Sequence, residues 1–293
     1  MQITLRQLEI FAAIYREGSV TRAAHRLALS QAATSQALAE LENQLQRRLF
    51  DRNGRRIVGN AAGRELLPAA SEVLDRVREI EAGTGRRPLN LNLFASLTVG
   101  NYMLPPLIAR FTRRRREAHF HLAIGNTEHV VASLLQFESD AGWIEGFSRH
   151  PDLAAFPWRE DRLVIVAPPG HALAGKRASP AILAEARWVL REKGSGTREV
   201  FDDAIANSFR PLHPPVELGG IGAIKRAVMC GAGLSCISRS AVEPELKTGQ
   251  LRRVYAPWLD LRRQIVVLIH RRKFVDAGLS EFLRFCGVTL AAE

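Results

Sequence analysis

Residues 19–42 read SVTRAAHRLALSQAATSQALAELE, and this stretch constrains the fold more than any other. The pattern predicts a short helix from Val20 to Ala28 and a second helix after Ser30. Leu29-Ser30 leaves room only for a tight connection between them. Ser19 and Ser30 stand where N-caps belong. Ala23, Ala24 and Ala33 remove bulk, so the two helices can approach closely. The second helix is expected to bury Ala33, Thr34, Ala37, Leu38, Leu41 and Leu45. It also carries Ser30-Gln31 and Thr34-Ser35-Gln36, short polar side chains that helix propensity does not favour. A helix-turn-helix would explain them: its second helix lies in the major groove, where hydroxyls and amides meet base edges and phosphates. An ordinary alanine-rich helical hairpin accounts for the same composition, and this stretch alone leaves both readings open.

The flanks add detail. Leu5, Leu8, Phe11, Ala12 and Tyr15 fall at helical spacing. In DRNGRRIV, Asn53-Gly54 signals a hairpin turn, on a ribbon bearing Arg52, Arg55 and Arg56 that can reach flanking phosphates or the minor groove. Asn60 reads as the N-cap of a long helix, about residues 61–82. Its apolar stripe is Leu66, Leu67, Ala70, Val73, Leu74, Val77 and Ile80. With no core of its own nearby in sequence, that stripe is expected to meet a helix from a second chain, packing within the same chain being the alternative. GTGRRPLN, residues 83–90, reads as a linker.

Beyond the linker, strand and helix alternate. LNLNLFA, HFHLAIGN, DAGWIEG, RLVIVAP, ARWVLRE, PPVELGG, LSCIS and RQIVVLIH read as strands. This is an α/β organisation with a largely parallel expected sheet, which binds ligands at the carboxyl ends of its strands. Ser96 and Thr98 follow a strand and precede a helix expected near Gly100. Gly194-Ser195-Gly196-Thr197-Arg198 repeats that arrangement, and Thr127 begins a third such helix. Helix N-termini of this kind suit a small anion. Simple caps, with Arg198 in a surface ion pair, are the alternative. Glu145 ends the strand DAGWIEG at the edge where an anion would lie, and a carboxylate there repels it unless one of the two is protonated. Glu145 is therefore expected either to accept a hydrogen bond from a protonated oxyanion or to bridge to Arg198.

The net charge of +11 favours a polyanionic partner, but only +4 of it lies in residues 1–90, so charge does not locate a DNA face. Arg113 to Arg116 read as a solvated helix end, a nucleic-acid patch being the alternative. Cys230, Cys236 and Cys286 form no CxxC pair and are expected as buried thiols, with neither a disulfide framework nor a structural zinc site. No apolar run approaches the roughly 20 residues that cross a bilayer, and MQITLRQLEIF lacks a signal-peptide layout, so a cytoplasmic protein without membrane association is expected. Gly170-His-Ala-Leu-Ala-Gly175-Lys176-Arg177 misses the final Ser or Thr of a P-loop, and Gly220-Ile221-Gly222 lacks the third glycine of a dinucleotide fingerprint. No catalytic constellation and no metal-ligand spacing stands out, so neither an enzyme nor a metal or cofactor is expected.

GSVTRAAHRLALSQAATSQALAELENQLQRRLFDRNGRRIVGNAAGRELL resembles the N-terminal domain of the LysR-type transcriptional regulators, and the likeness runs through essentially the whole chain. The resemblance implies a winged helix-turn-helix over 1–60, a dimerising linker helix and hinge over 61–88, and an effector domain over 89–293. That domain would have two α/β subdomains like a periplasmic binding protein, one about 89–161 and 267–293, the other about 162–266. It assigns duplex DNA contact to Thr21, Arg22, Ser30, Gln31, Thr34, Ser35 and Gln36, with Arg52, Arg55 and Arg56 in the wing. Thr34 stands where the family usually has an aliphatic residue, and its hydroxyl needs a partner. Asn60 replaces a common Thr and caps equally well.

The stretches ASLTVGNYMLPPLIARF, GNTEHVVASLLQFESDAGWIEG, LREKGSGTREVFDDAI and ELGGIGAIKRAVMCGAGLSCISR resemble one branch most, that of cysteine-biosynthesis, sulfite-response and carbon-fixation regulators. Sulfite-responsive members are nearest. The implied effector site comprises Ser96, Leu97, Thr98, Asn101, Thr127, Glu145 and Gly146 in one half, and Gly196, Thr197, Arg198, Gly220 and Ile221 in the other. The expected effector is a sulfur oxyanion such as sulfite, and an organic metabolite is the alternative. Self-association as a dimer or tetramer is also implied. A cytoplasmic anion-binding protein without a regulatory role is the rival from another class.

Overall fold

The computed structural model describes residues 2–53, 56–82, 89–146, 148 and 150–290. The N-terminal part is helical: α1 (Leu5–Glu17), α2 (Val20–Arg26), α3 (Gln31–Leu45), a ribbon β1 (Phe50–Asn53) and β2 (Arg56–Gly59), and the long α4 (Ala61–Ala82). Each of the last three helices starts on a side-chain cap. Ser19 accepts from the Arg22 amide at 3.4 Å and Ser30 from Ala33 at 3.1 Å. The Asn60 side chain accepts from the Gly63 amide at 3.0 Å and donates to the Arg48 carbonyl at 2.9 Å.

Ala23 and Ala24 are buried where α2 meets its neighbours, as their size requires. Along α3 the inward positions are Thr34, Leu38 and Leu41. That spacing leaves Ala33 exposed, with Ala37 and Leu45 only half-buried, contrary to the expectation for all three. The α2 helix stops at Arg26 because Ala28 takes a left-handed φ of 53°. Gly54 and Arg55 at the expected hairpin turn lie outside the described residues, as do the side chains of Arg52 and Arg56 and the linker residues 83–88.

The stripe on α4 divides in two. Leu67, Ala70 and Leu74 bury against the core formed with Leu8, Phe11 and Ile14 of α1. Val73 and Ile80 remain exposed, Ile80 at 78%. The expectation that this helix lacks cover in its own chain therefore holds only for its outer face.

The C-terminal part runs β3 (Leu89–Ser96), a π-helical turn (Val99–Met103), α5 (Leu104–Arg114), β4 (Ala118–Gly125), α6 (Thr127–Leu135), β5 (Ala141–Glu145) and β6 (Leu153–Ala167). It continues with α7 (Pro180–Glu185), β7 (Val189–Leu190), α8 (Gly196–Ile205), β8 (Val216–Glu217) and α9 (Ile221–Met229). The last elements are β9 (Ser235–Ser238), α10 (Arg239–Thr248), β10 (Arg252–Val254), β11 (Arg262–His270) and α11 (Ala277–Phe285). The helical backbone after β3 opens at Leu97, ahead of the expected start near Gly100.

The sheet is mixed rather than largely parallel. Strand β3 pairs in parallel with β4 and β5, but β11 runs antiparallel to both β5 and β6, and β9 and β10 run antiparallel to β6. Hydrophobic alternation marks strands without marking their direction, which is why RLVIVAP and RQIVVLIH gave no warning. Strand β6 also begins nine residues before that apolar run, at Leu153. Strands β6 and β11 pass through both halves of the domain. One core gathers around Trp143, Phe111 and Phe282, the other around Trp188, Phe201 and Leu234. Cys236 and Cys286 are buried, and burial pushes both thiols up, Cys286 to about 12. Cys230, at the end of α9, is exposed, against expectation.

Removing the cap on α4 should cost about 1 kcal/mol. Asn60→Ala is expected to lower the urea midpoint accordingly, while Asn60→Ser, which keeps a capping acceptor for the Gly63 amide, stays closer to the parent value. Equal midpoints for Asn60→Ala and the parent would show that the cap contributes nothing.

Candidate functional site

The C-terminal part has its densest buried polar cluster where β6 and β11 cross between the two cores. Arg263 and Asp161 face each other directly in the β6–β11 register. Arg263 is 5% exposed, yet all three of its guanidinium nitrogens are used. Nε donates to Asp161 Oδ2 at 2.7 Å, and Nη2 approaches that oxygen at 2.6 Å. Nη1 donates to Thr197 Oγ1 at 2.9 Å, and Nη2 to Thr98 Oγ1 at 3.2 Å. Glu145 Oε1 lies 3.5 Å from Nη2. Ser238 donates to the other Asp161 oxygen at 3.0 Å. Thr98 and Glu145 come from the half built on β3, β4 and β5, and Thr197 and Ser238 from the other, so one guanidinium ties both halves together.

Three buried polar atoms here have no hydrogen-bond partner: Ser96 Oγ, Thr127 Oγ1 and Glu145 Oε1. Buried polar atoms are normally satisfied, so these three are places where a further group can bond. The starts of α6 and α8 converge on them. A Cβ at Gly196 would lie 2.8 Å from the Glu145 carbonyl oxygen and 3.2 Å from Thr127 Oγ1. Any larger residue at position 196 would push the start of α8 off the end of β5, so glycine sets how closely those two approach. Each helix start carries the positive end of its dipole.

The sequence-assigned effector residues divide accordingly. Thr98, Thr127, Glu145, Gly196 and Thr197 gather at Arg263, and Ser96 ends β3 two residues before Thr98. Leu97 is half-buried beside them, and its carbonyl accepts from the Asn101 amide at 2.8 Å. Gly146 leaves β5 with a left-handed φ of 84°. Gly220 and Ile221 open α9, and no hydrogen bond of Arg263 reaches them. Arg198 does not bridge to Glu145. It pairs with Asp202 at 2.8 Å and Glu217 at 3.4 Å, because its side chain points along α8 towards β8. Arg263 takes the role expected of Arg198. Sequence reading passed over it and Asp161, although one signal was present: in RRQIVVLIH the two-residue period puts Arg263 on the face of buried Ile265 and Val267.

At the N-terminal site, Thr21, Arg22, Ser30, Gln31, Ser35 and Gln36 are exposed together around the start of α3. Thr21 donates to the Gln31 amide oxygen at 3.2 Å, and Gln36 donates to Glu40 at 3.0 Å. Thr34 departs from the assignment. It is fully buried, and its hydroxyl donates to the Ser30 carbonyl at 2.9 Å, so it meets core rather than DNA and its polar atom is satisfied. At the end of α5, Arg115 pairs with Glu281 and Arg114 lies over Phe285 at 5.1 Å, in keeping with a solvated helix end. Among the described residues no cluster of His, Cys, Asp or Glu is placed to hold a metal ion, and no helix is long and apolar enough to cross a membrane.

Removing one partner of a buried ion pair leaves the other charge uncompensated, at about 3–5 kcal/mol. Arg263→Gln is expected to lose that much stability in chemical denaturation, and adding Asp161→Asn should recover part of it. A loss below about 1 kcal/mol would show that Arg263 does not hold the halves together.

Residues 5–64 match the bacterial regulatory helix-turn-helix protein, lysR family, and residues 86–290 match the LysR substrate binding domain. The chain is 42% identical over 286 residues to the HTH-type transcriptional regulator YeiE of Escherichia coli strain K12, covering 98% of each. It is 33% identical over 264 residues to the HTH-type transcriptional regulator CysL of Bacillus subtilis strain 168, covering 88% of each. A single-residue variant of full-length OxyR from Pseudomonas aeruginosa shares the fold at a TM-score of 0.77 and 22% identity, over 98% of this chain and 94% of that one. A helix-turn-helix joined by a long helix to a two-core effector domain, with these matches across it, makes the chain a member of the LysR family of transcriptional regulators and not an enzyme.

Proposed function

We propose that this regulator senses a small, singly protonated oxyanion, bisulfite being the best fit, at the buried polar cluster around Arg263. The carrying observation is the trio of buried atoms without a hydrogen bond on Ser96, Thr127 and Glu145, the last of them 3.5 Å from Arg263 Nη2. Two are hydroxyls able to donate to oxyanion oxygens, and the third is a carboxylate oxygen that can only accept when ionised. Arg263, Asp161 and Glu145 already sum to one negative charge in a site closed from water. A fully deprotonated dianion would add to that repulsion, whereas a ligand carrying a proton can donate it to Glu145. The close approach at Gly196 favours a ligand of a few heavy atoms.

Gln31, Ser35 and Gln36 read base edges, Arg22, Arg52, Arg55 and Arg56 hold phosphates, and Val73 and Ile80 on α4 meet a second copy of the chain in a dimer or tetramer in the cytoplasm. Ligand binding shifts the balance between arrangements of the two halves, and α4 passes that shift to the recognition helices.

Thermal unfolding against sulfite, sulfate, thiosulfate and phosphate tests the ligand. A ligand at about a hundred times its dissociation constant stabilises the fold by about 2.7 kcal/mol, a rise of a few degrees. Sulfite is expected to give that rise and sulfate none, and Glu145→Gln should weaken the discrimination. No rise with any of the four would move the effector to an organic metabolite. Duplex binding tests the other end: log affinity should fall steeply with log salt, and Gln31→Ala should relax sequence preference rather than weaken all sites alike. A weak, salt-independent association would overturn the assigned DNA face.

A further inference from the structure

A cavity of about 120 Å³ opens in the second half of the effector domain, where β10 ends and the chain turns towards β11. Arg162, Arg177 and Arg253 line it, and among the described residues no acidic side chain does. Neither Arg263 nor any residue bonded to it lies in the wall. The floor is apolar, part of the core that holds Leu163 and Leu259.

The three guanidiniums come from separate segments. Arg253 and Tyr255 stand two apart at the end of β10, and Arg253 Cζ lies 5.0 Å from the centre of the Tyr255 ring. Arg177 bridges to Tyr255 in parallel, which sets its side chain beside the same ring. Arg162 follows buried Asp161 on β6, so it leaves the strand on the opposite face and is exposed. Arg177 also ends the stretch Gly170–Arg177 that falls short of a P-loop. The backbone of that stretch is spent on β10: the Gly175 amide donates to the Arg253 carbonyl at 2.9 Å, and the Lys176 carbonyl accepts from the Tyr255 amide at 2.8 Å. Recognition of an anion here therefore falls to side chains. Among the described residues none of the three arginines makes a salt bridge or donates a side-chain hydrogen bond. Asp260 lies within the field of Arg162, but Arg262 holds that carboxylate with bonds of 2.9 and 2.8 Å.

We propose that this cavity is a second ligand site and that it takes a nucleotide, with the phosphate among the arginines and the base on Tyr255. Each guanidinium offers forked donors that match phosphate oxygens. Three of them without a carboxylate select a dianion, the reverse of the balance at Arg263, where Asp161 and Glu145 outnumber one guanidinium. A volume of about 120 Å³ equals about four waters at roughly 30 Å³ each, enough for one phosphate group and not for the rest of the ligand. That remainder lies at the rim, where Tyr255 is 43% exposed and Pro257 is exposed beside it. A flat base stacks on such a surface and an aliphatic chain does not.

The experiment is isothermal titration calorimetry of the full-length chain with AMP, GMP, CMP and UMP, and with inorganic phosphate and the matching nucleosides as one-ended probes. At least one nucleotide is expected to give a saturable isotherm, and its two halves should each bind at least about tenfold more weakly. Arg162→Gln and Arg177→Gln, at exposed positions, should each weaken the nucleotide by about tenfold, and Tyr255→Ala should do the same by removing the stack. Arg22→Gln at the DNA face and Ser96→Ala near Arg263 should leave its affinity unchanged, which separates this site from the other two anion sites. The proposal is overturned if none of the nucleotides gives a saturable isotherm, or if inorganic phosphate binds as tightly as the nucleotide. It is also overturned if the double variant Arg162→Gln/Arg177→Gln keeps the parent affinity, or if a single-stranded oligonucleotide binds through these arginines more tightly than the free nucleotide.

Discussion

The buried guanidinium of Arg263 is the constraint on which the effector domain depends. An arginine in an apolar interior costs several kcal/mol unless charge and hydrogen bonds surround it. Here Asp161 supplies the charge, Thr98 and Thr197 supply acceptors, and Glu145 lies within 3.5 Å. Those partners come from both halves, so separating the halves at this point strips the guanidinium of hydrogen-bond acceptors. Yet Ser96, Thr127 and Glu145 each keep one atom unsatisfied in the same place. The cluster is closed enough to be rigid and incomplete enough to accept a further group.

Local signals made the helical part legible. Ser19, Ser30 and Asn60 announced helix starts from their own chemistry, and all three cap as read. Ala23 and Ala24 announced a close helix contact for the same reason. What sequence could not supply was long-range pairing. Arg263 is 102 residues from Asp161 and 165 from Thr98, and no periodicity links such positions. Arg198 drew attention instead because it stood next to a helix start, a local cue, and it spends its charge on Asp202 and Glu217. Strand direction failed likewise, since alternation is the same whichever way a strand runs.

Thr34 and the stripe on α4 show a related ambiguity, between facing a partner and facing the chain's own core. Thr34 sits among residues that face outward, but its 34, 38, 41 spacing turns it inward, and the Ser30 carbonyl absorbs its hydroxyl. On α4, Leu67, Ala70 and Leu74 serve α1 while Val73 and Ile80 do not. A helix whose apolar arc is wider than one neighbour can cover has two jobs. The inner arc fixes α4 to the DNA-binding part, and the outer arc is left for another surface.

Strands β5 and β11 connect these features mechanically. They pair antiparallel from Ile265 against Glu145 to Leu268 against Gly142, so the start of β11 lies near the end of β5 and its end near the start of β5. At one edge stand Glu145, the last residue of β5, and Arg263, the second of β11. At the other edge stand Asp140, just before β5, and Lys273, just beyond β11, joined at 2.8 Å. Lys273 also holds Asp75 of α4 at 2.6 Å, and Arg76 lies over Phe274 at 4.6 Å. Burial lowers the Lys273 ammonium, but Asp140 and Asp75 outweigh it and hold the group above the usual lysine range, so it stays charged in the junction. Between the two edges the strands are filled by Ile144, Ile265, Val266 and Val267, close-packed and poorly compressible. The two strands thus join the polar cluster at Glu145 and Arg263 to the ion pairs of Lys273, and Lys273 ties that end of the sheet to the helix that carries the DNA-binding part.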